Sequence, residues 1–164
     1  MARTEITGNG FRDLIAAYIH HQYGDQGLVV YREVNLGKTI IAKDRQIDVF
    51  VMRPVDQKAI AIECKYQDVS GTADEKIPYT LQDLAALRMP AAVAYAGAGF
   101  SEGVLHLLQA SELAAYCLPD DSLKPLGRKV GESIDCGTWQ LDHILAMTFG
   151  WWDIFVAGRT PLDG

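Results

Sequence analysis

The chain has 164 residues, which is long enough for one domain with a sizeable hydrophobic core. Apolar residues make up 49% and charged residues 22%, the proportions of a globular protein rather than a disordered or fibrous one. The net charge of -6 excludes a globally basic nucleic-acid binder, although an acidic enzyme can bind DNA through a local basic surface.

The cysteines and the lengths of the apolar runs argue against a disulfide-rich, zinc-binding or membrane-spanning protein. Cys64, Cys117 and Cys136 are odd in number and widely spaced, which indicates neither a disulfide framework nor a zinc site. The sequence shows no signal-peptide pattern and no apolar run of membrane-spanning length. We therefore expect a soluble cytoplasmic protein.

The first half of the chain predicts a helix followed by three strands. Apolar residues recur at helical spacing over about residues 9–22, which predicts an amphipathic helix. Leu28–Val34 is rich in β-forming residues and is followed by a predicted turn at residues 35–37. Ile47–Met52 and Ala59–Lys65 are the second and third strands, so the three strands are expected to form an antiparallel meander.

The second half alternates helices and strands. A helix is predicted over about residues 78–88, because Pro78 fits only the first turn of a helix and Pro90 ends the segment. The other predicted elements are a buried strand at 91–96, a helix capped by Ser101 that runs to about Leu113, a strand at 115–118 and a helix at 139–149. This order predicts an α/β fold with a mixed sheet.

Three charged residues stand in otherwise apolar strands: Asp48 in the second, and Glu63 and Lys65 in the third. Residues i and i+2 of a strand share a face, so Glu63 and Lys65 project together while Cys64 points away. Pairing of the two strands would bring Asp48 beside Glu63. Two carboxylates and an ammonium at a sheet edge suit a divalent cation and an oriented water molecule, as metal-assisted phosphodiester hydrolysis needs.

The alternative interpretation of these three residues is a surface ion cluster that stabilises the fold by less than ~1 kcal/mol. The functional interpretation is favoured because Asp48 lies within Ile47–Val51 and Glu63 follows the apolar run Ala59–Ile62. Charges in such strands are costly to bury unless they have a use.

This pattern of Asp48, then Glu63-Cys64-Lys65, within the predicted element order resembles the PD-(D/E)XK nuclease superfamily. The run Glu63–Gln67 and the strand, turn and helix start at Val93–Ser101 are similar to the Mrr-like branch. The resemblance covers about residues 8–118 and implies a restriction endonuclease-like three-layer α/β/α core with a central mixed sheet. It implies a core domain over residues 1–124 and a C-terminal extension over 125–164, packed on the same domain or at a dimer interface.

The resemblance also implies roles for the residues of the motif. Asp48 and Glu63 would bind Mg²⁺, for which Mn²⁺ could substitute. Lys65 would orient the attacking water, and Gln67 would assist near the site or the scissile phosphate.

This sequence departs from the family pattern at the first helix. Family members often carry a glutamate there, directly after an aromatic residue, whereas here Arg12 follows Phe11. Glu33 on the first strand, or Glu5 before the helix, is the candidate for an extra carboxylate.

Several other residues have both a functional and a structural interpretation. Arg45 and Lys76 are candidates for contact with the DNA backbone, and a solvated helix start is the alternative for Lys76. Gln82 and Asp83 are expected on a helix surface, and Cys64 in the core. The C-terminal aromatic residues are predicted to lie in the core or at a homodimer surface rather than to stack on bases: Trp139, Trp151, Trp152 and Phe155.

The expected function is therefore that of a Mg²⁺-dependent DNA endonuclease acting in restriction or DNA repair. We expect it to work as a homodimer or with a partner that supplies specificity. The alternative is a non-catalytic module of the same fold that binds nucleic acid or a protein. The acidic net charge and Arg12 favour this alternative, and the intact set of Asp48, Glu63 and Lys65 argues against it.

Overall fold

A five-stranded mixed sheet forms the centre of the computed structural model, which describes residues 6–163. The strands span Val29–Lys38 (β1), Asp44–Arg53 (β2), Lys58–Tyr66 (β3), Ala91–Ala96 (β4) and Ala114–Tyr116 (β5). The helices span Gly8–Tyr23 (α1), Ala73–Ala86 (α2), Glu102–Ala110 (α3), Trp139–Phe149 (α4) and Asp153–Val156 (α5), with a short 3-10 helix at Gly24–Gln26. The sheet order is β1-β2-β3-β4-β5, antiparallel from β1 to β3 and parallel from β3 to β5. The predicted α/β class with a mixed sheet is confirmed.

Helices cover both faces of the sheet because its inner strands turn apolar side chains toward each face. On one face Val49 and Ile62 pack with residues of α1 and α4, in what we name the first core. On the other face Ile47 and Ala61 pack with residues of α2 and α3, in the second core. Cys64 is buried in the first core, as predicted for a small core residue.

The first helix begins at a capped end that lies beside the end of β3. The Thr7 side chain accepts a hydrogen bond from the Gly10 backbone N–H at 2.9 Å, which satisfies one of the unpaired donors of the first turn. The Phe11 ring lies 5.4 Å from the Tyr66 ring, centroid to centroid. The start of α1 is thereby fixed next to the strand that carries Glu63 and Lys65.

Helix α2 begins five residues earlier than predicted, so that Pro78 lies inside it rather than in its first turn. The side chain of Thr72 does not cap this helix. The Ala73 backbone N–H donates instead to Gln67 Oε1 at 3.0 Å. The prediction was wrong because the cap comes from the end of β3.

The turn between β1 and β2 also differs from the prediction. The predicted turn at residues 35–37 lies inside β1, which continues to Lys38. The chain reverses instead over residues 39–43, where Thr39 N–H donates to the Lys43 carbonyl at 2.7 Å. We name residues 39–43 the hairpin turn.

The turn from β4 to α3, expected within Val93–Ser101, requires glycine. Gly97 has a φ of 105°, and a Cβ atom there would collide with the Gln67 carbonyl. Gly99 N–H donates to that same carbonyl at 2.7 Å. Ser101 then caps α3 through Val104 N–H, although α3 ends at Ala110 rather than near Leu113.

The C-terminal part of the described chain packs mainly on the first core. Leu141 and Leu145 of α4 are fully buried there. Trp151 is buried and stacks on Tyr23 at 5.1 Å between ring centroids. Trp152 and Phe155, by contrast, are 47% and 41% exposed, and their role at a homodimer surface stays a prediction.

One buried polar network ties α4 to α1. Tyr18 and Tyr23 both donate hydrogen bonds to Asp142 Oδ1, the second at 2.7 Å. Thr138 Oγ1 donates to Asp142 Oδ2 at 2.9 Å. Burial raises the pKa of Asp142, and the three hydroxyl donors act in the opposite direction. The network satisfies a carboxyl group that would otherwise be costly to bury.

Candidate active site

The candidate site lies where β2 and β3 separate. Their pairing register runs from Arg53–Lys58 to Val49–Ile62. Asp48 and Glu63 are the next residues on the two strands, at the point where backbone pairing ends. Asp48 Oδ2 accepts a hydrogen bond from the Cys64 backbone N–H at 2.8 Å, so a carboxylate takes over the role of a strand acceptor. The structure thus brings together Asp48 and Glu63, as the sequence predicted.

The two carboxyl groups interact strongly. Burial raises the pKa of Glu63 far above its usual range, and the charge of Asp48 and its hydrogen bond with Glu63 raise it further. Lys65, two residues along on the same face, acts in the opposite direction. Without a cation, the site therefore favours the protonated form of Glu63.

This shift gives a testable dependence of stability on pH. A raised pKa in the folded state means that the contribution of Glu63 is full below the ordinary glutamate range and is lost as pH rises through the raised value. We expect the Tm of the metal-free protein to fall as pH rises from about 5 to about 9, and the Glu63→Gln variant to show a flatter profile. Differential scanning calorimetry in EDTA measures both profiles. Parallel profiles for the two proteins would contradict the raised pKa.

The donor set of the site fits one hard cation. Mg²⁺ is commonly held by one or two carboxylates and completes its shell with water and substrate phosphate oxygens. Asp48 and Glu63 supply two such carboxylates, and a cation between them would relieve their repulsion. Among residues 6–163, no group of three His, Cys, Asp or Glu side chains is arranged to hold a metal ion.

Glu33, the candidate for an extra carboxylate, is engaged elsewhere. Its Oε1 accepts from Arg12 Nη1 at 2.6 Å, and its backbone has a φ of 56°. Arg12 also contacts the Asp13 carboxylate, at 3.1 Å. Arg12, which stands where the resemblance implied a glutamate, thus binds Glu33, the carboxylate expected to compensate for that glutamate. Glu5, the other candidate, lies outside the described residues.

The side chain of Gln67 links three segments of the fold. It is buried at the end of β3, and its Nε2 donates to the Gly99 carbonyl at 2.9 Å while its Oε1 accepts from Ala73 N–H. Its amide therefore joins β3 to the start of α2 and to the turn before α3. The predicted role of Gln67 near the scissile phosphate stays a prediction, but these contacts occupy both ends of its side-chain amide.

Arg45 and Lys76 differ in their availability for a DNA contact. The Arg45 side chain is only 8% exposed and forms an ion pair with Asp83 of α2 at 2.8 Å. This placement differs from the exposed position that a contact with the DNA backbone needs. Lys76 is exposed in the first turns of α2, which leaves it available to a phosphate.

Asp83 is a residue that the sequence interpretation placed wrongly. It was expected on a helix surface, yet it is 7% exposed. Its spacing offered a signal, because Asp83 follows the buried residues Ile77 and Thr80 at intervals of three on the same helix. An acidic residue on the buried stripe of a helix calls for a cationic partner, and here that partner is Arg45.

Comparisons with known proteins bear on the family. A family model described as a PD-(D/E)XK nuclease superfamily domain matches residues 7–152, beyond the stretch of about 8–118 over which the sequence resemblance was expected. No curated protein matches the sequence. A search of solved structures found the crystal structure of a protein of unknown function, AF1548. The match covers 60% of this chain, with 14% sequence identity and a TM-score of 0.39. This chain spans about half of that protein, 53%. No helix among the described residues is long and apolar enough to cross a membrane. By its match over residues 7–152, the chain belongs to the PD-(D/E)XK nuclease superfamily.

Proposed function

We propose that the protein is a metal-dependent endonuclease that hydrolyses phosphodiester bonds in DNA. The observation that carries this proposal is the meeting of Asp48 and Glu63 where β2 and β3 separate, with Lys65 on the same face. The two carboxylates are held in a partly buried position where their repulsion stays unrelieved unless a cation or a proton lies between them.

Each residue of the site has a distinct proposed role. Asp48 and Glu63 hold Mg²⁺, or Mn²⁺ in its place. The cation, when bound, lowers the pKa of a water molecule and neutralises charge on the phosphate. Lys65 places its ammonium beside the carboxylates, where it orients the attacking water and stabilises charge that develops on the phosphate. Gln67 acts by position, because it fixes the end of β3 against the start of α2.

The setting of this activity is proposed to be restriction of foreign DNA or DNA repair, in a protein nearest to the Mrr-like branch. Cleavage of both strands would come from a homodimer, with a specificity partner as the other route. The exposed rings of Trp152 and Phe155 are the candidate surface for either association. Lys76 is the proposed phosphate contact beside the site.

The proposal is tested by incubating the purified protein with supercoiled plasmid, branched DNA and single-stranded DNA. We expect nicking or linearisation in Mg²⁺ or Mn²⁺ and none in EDTA. Asp48→Asn is expected to lose that cleavage, because it removes one of the two carboxylate charges that hold the cation. Cleavage that survives both EDTA and the Asp48→Asn change would refute a metal-dependent site at Asp48.

A second candidate function is a non-catalytic module that binds nucleic acid or a protein. Arg12, paired with Glu33 in place of a family carboxylate, is the observation that favours it. Folded protein that binds DNA but cuts none of the three substrates with either metal would support this module over the endonuclease.

A further inference from the structure

The Arg45–Asp83 pair is a fully engaged buried ion pair beside the candidate site. Arg45 Nε donates to Asp83 Oδ2 at 3.0 Å, and Nη2 donates to Oδ1 at 2.8 Å. The remaining nitrogen, Nη1, donates to the Leu36 carbonyl at 3.1 Å. Every nitrogen of the guanidinium is thus directed to a group outside the candidate site. Such a two-point contact fixes both the position and the plane of the guanidinium.

Asp83 also holds the hairpin turn, residues 39–43, against α2. Its Oδ1 accepts a hydrogen bond from the Ile40 backbone N–H at 3.0 Å, in addition to the bond from Arg45. Hydrogen bonding to Arg45 lowers the pKa of Asp83, and the Ile40 N–H lowers it further. The carboxylate is therefore ionised at neutral pH and connects β2, the hairpin turn and α2.

The pair lies within electrostatic reach of Glu63. Arg45 is on β2 only three residues before Asp48, and α2 packs over Ile47 and Ala61 of the strands that carry the site. The hydrogen bond and the charge of Asp83 raise the pKa of Arg45, and the charge of Glu63 raises it further. Ile47 and Ala61 both face α2, and alternation along a strand places Arg45 and Glu63, each two residues away from one of them, on that same face. A guanidinium released from Asp83 would therefore have Glu63 as a carboxylate partner.

We propose that Asp83 is a positioning residue for the cation site, because it holds the Arg45 guanidinium away from Glu63 and so leaves Glu63 available to a divalent cation. This inference rests on the proposed function for its metal, but it concerns binding and not cleavage. A buried guanidinium that loses its carboxylate is expected to pair with another nearby carboxylate, since an unpaired buried charge is strongly unfavourable. In this site that guanidinium would compete with the cation for Glu63.

Competition between Arg45 and the cation for Glu63 predicts the direction in which Mn²⁺ affinity changes in three variants. Asp83→Asn frees Arg45 and is expected to weaken Mn²⁺ binding by about 10–100-fold, as loss of a residue that positions a metal ligand typically does. Arg45→Gln removes the competing charge and is expected not to weaken binding. The double variant, which removes both charges, is expected to bind Mn²⁺ within about threefold of the wild type, because the effects of contacting residues are not additive.

Isothermal titration with MnCl₂ of the full chain measures all three affinities, with Asp48→Ala to identify binding at the site. Equal affinity of wild type and Asp83→Asn, or equal weakening in all three variants, would overturn the inference. Binding in the wild type that is insensitive to Asp48→Ala would overturn the metal site itself, and this inference with it. Absence of cleavage alongside the expected pattern of affinities would overturn the proposed nuclease but support the role of Asp83.

A further variant covers the case in which Asp83→Asn does not fold. Arg45→Lys keeps the positive charge but loses the two-point contact and the hydrogen bond to Leu36. We expect it to bind Mn²⁺ more weakly than Arg45→Gln, because only the lysine keeps a positive charge that can compete for Glu63. Equal Mn²⁺ affinities of these two folded variants would overturn the inference.

Discussion

Lys65→Ala is expected to slow metal-dependent DNA cleavage by about 10²–10³-fold while the protein stays folded, because a preorganised charge at the reacting phosphate is typically worth that much. The ammonium contributes chiefly as charge develops on the phosphate. Its loss should therefore lower the rate of the chemical step and leave Mn²⁺ affinity unreduced. Single-turnover cleavage of plasmid under saturating enzyme measures the rate, and calorimetric titration measures the affinity.

Lys58→Ala provides a matched control for that experiment. Lys58 is an exposed lysine at the other end of the same strand, paired in register with Arg53. The same charge is removed there without touching the site, and we expect a cleavage rate within about threefold of wild type, as for surface changes away from functional groups. Equal loss in both variants would show that net charge, and not the position of Lys65, governs cleavage.

Asp142→Ala is expected to lower the free energy of unfolding by about 3–5 kcal/mol, since it leaves three buried hydroxyl groups without their acceptor. The donors are Tyr18, Tyr23 and Thr138, and the first two are almost fully buried in the first core. For a domain of this size the corresponding fall in Tm is about 6–20 °C. Urea unfolding followed by far-UV circular dichroism measures the change.

Tyr18→Phe is the graded control for the Asp142 network. It removes one donor but keeps the ring in place, and we expect a loss of about 1.5–3 kcal/mol, the scale of one hydrogen bond to a charged group. A loss in Asp142→Ala no larger than that in Tyr18→Phe would contradict the view that this carboxyl group organises the contact of α4 with α1. Neither change should alter Mn²⁺ affinity, because both residues belong to the buried network between α1 and α4 and not to the candidate site.

The elements with a strong local pattern were predictable from sequence. The residues 91–96 and 139–149 were placed with the bounds that the structure has, because an apolar run and a helical period are properties of the segment itself. The meeting of Asp48 with Glu63 followed from strand alternation and antiparallel pairing, which are equally local rules.

The errors arose where a distant partner decides the local structure. The start of α2 is set by Gln67, which itself bonds to Gly99, a residue 32 positions away. The burial of Arg45 is set by Asp83, 38 positions away. A single sequence shows that these residues are polar, but it does not show which remote groups satisfy them.

The network around Asp142 also has a consequence for the order in which the protein folds. Tyr18 and Asp142 are 124 positions apart, whereas β2 and β3 are joined by a short turn. Closing a long loop costs more conformational entropy than closing a short one, so contacts between distant segments form late. A growing chain can therefore pair the strands that carry Asp48 and Glu63 well before α4 is synthesised. The chemistry of the site is assembled from a hairpin, and the C-terminal helix then closes the core beneath it.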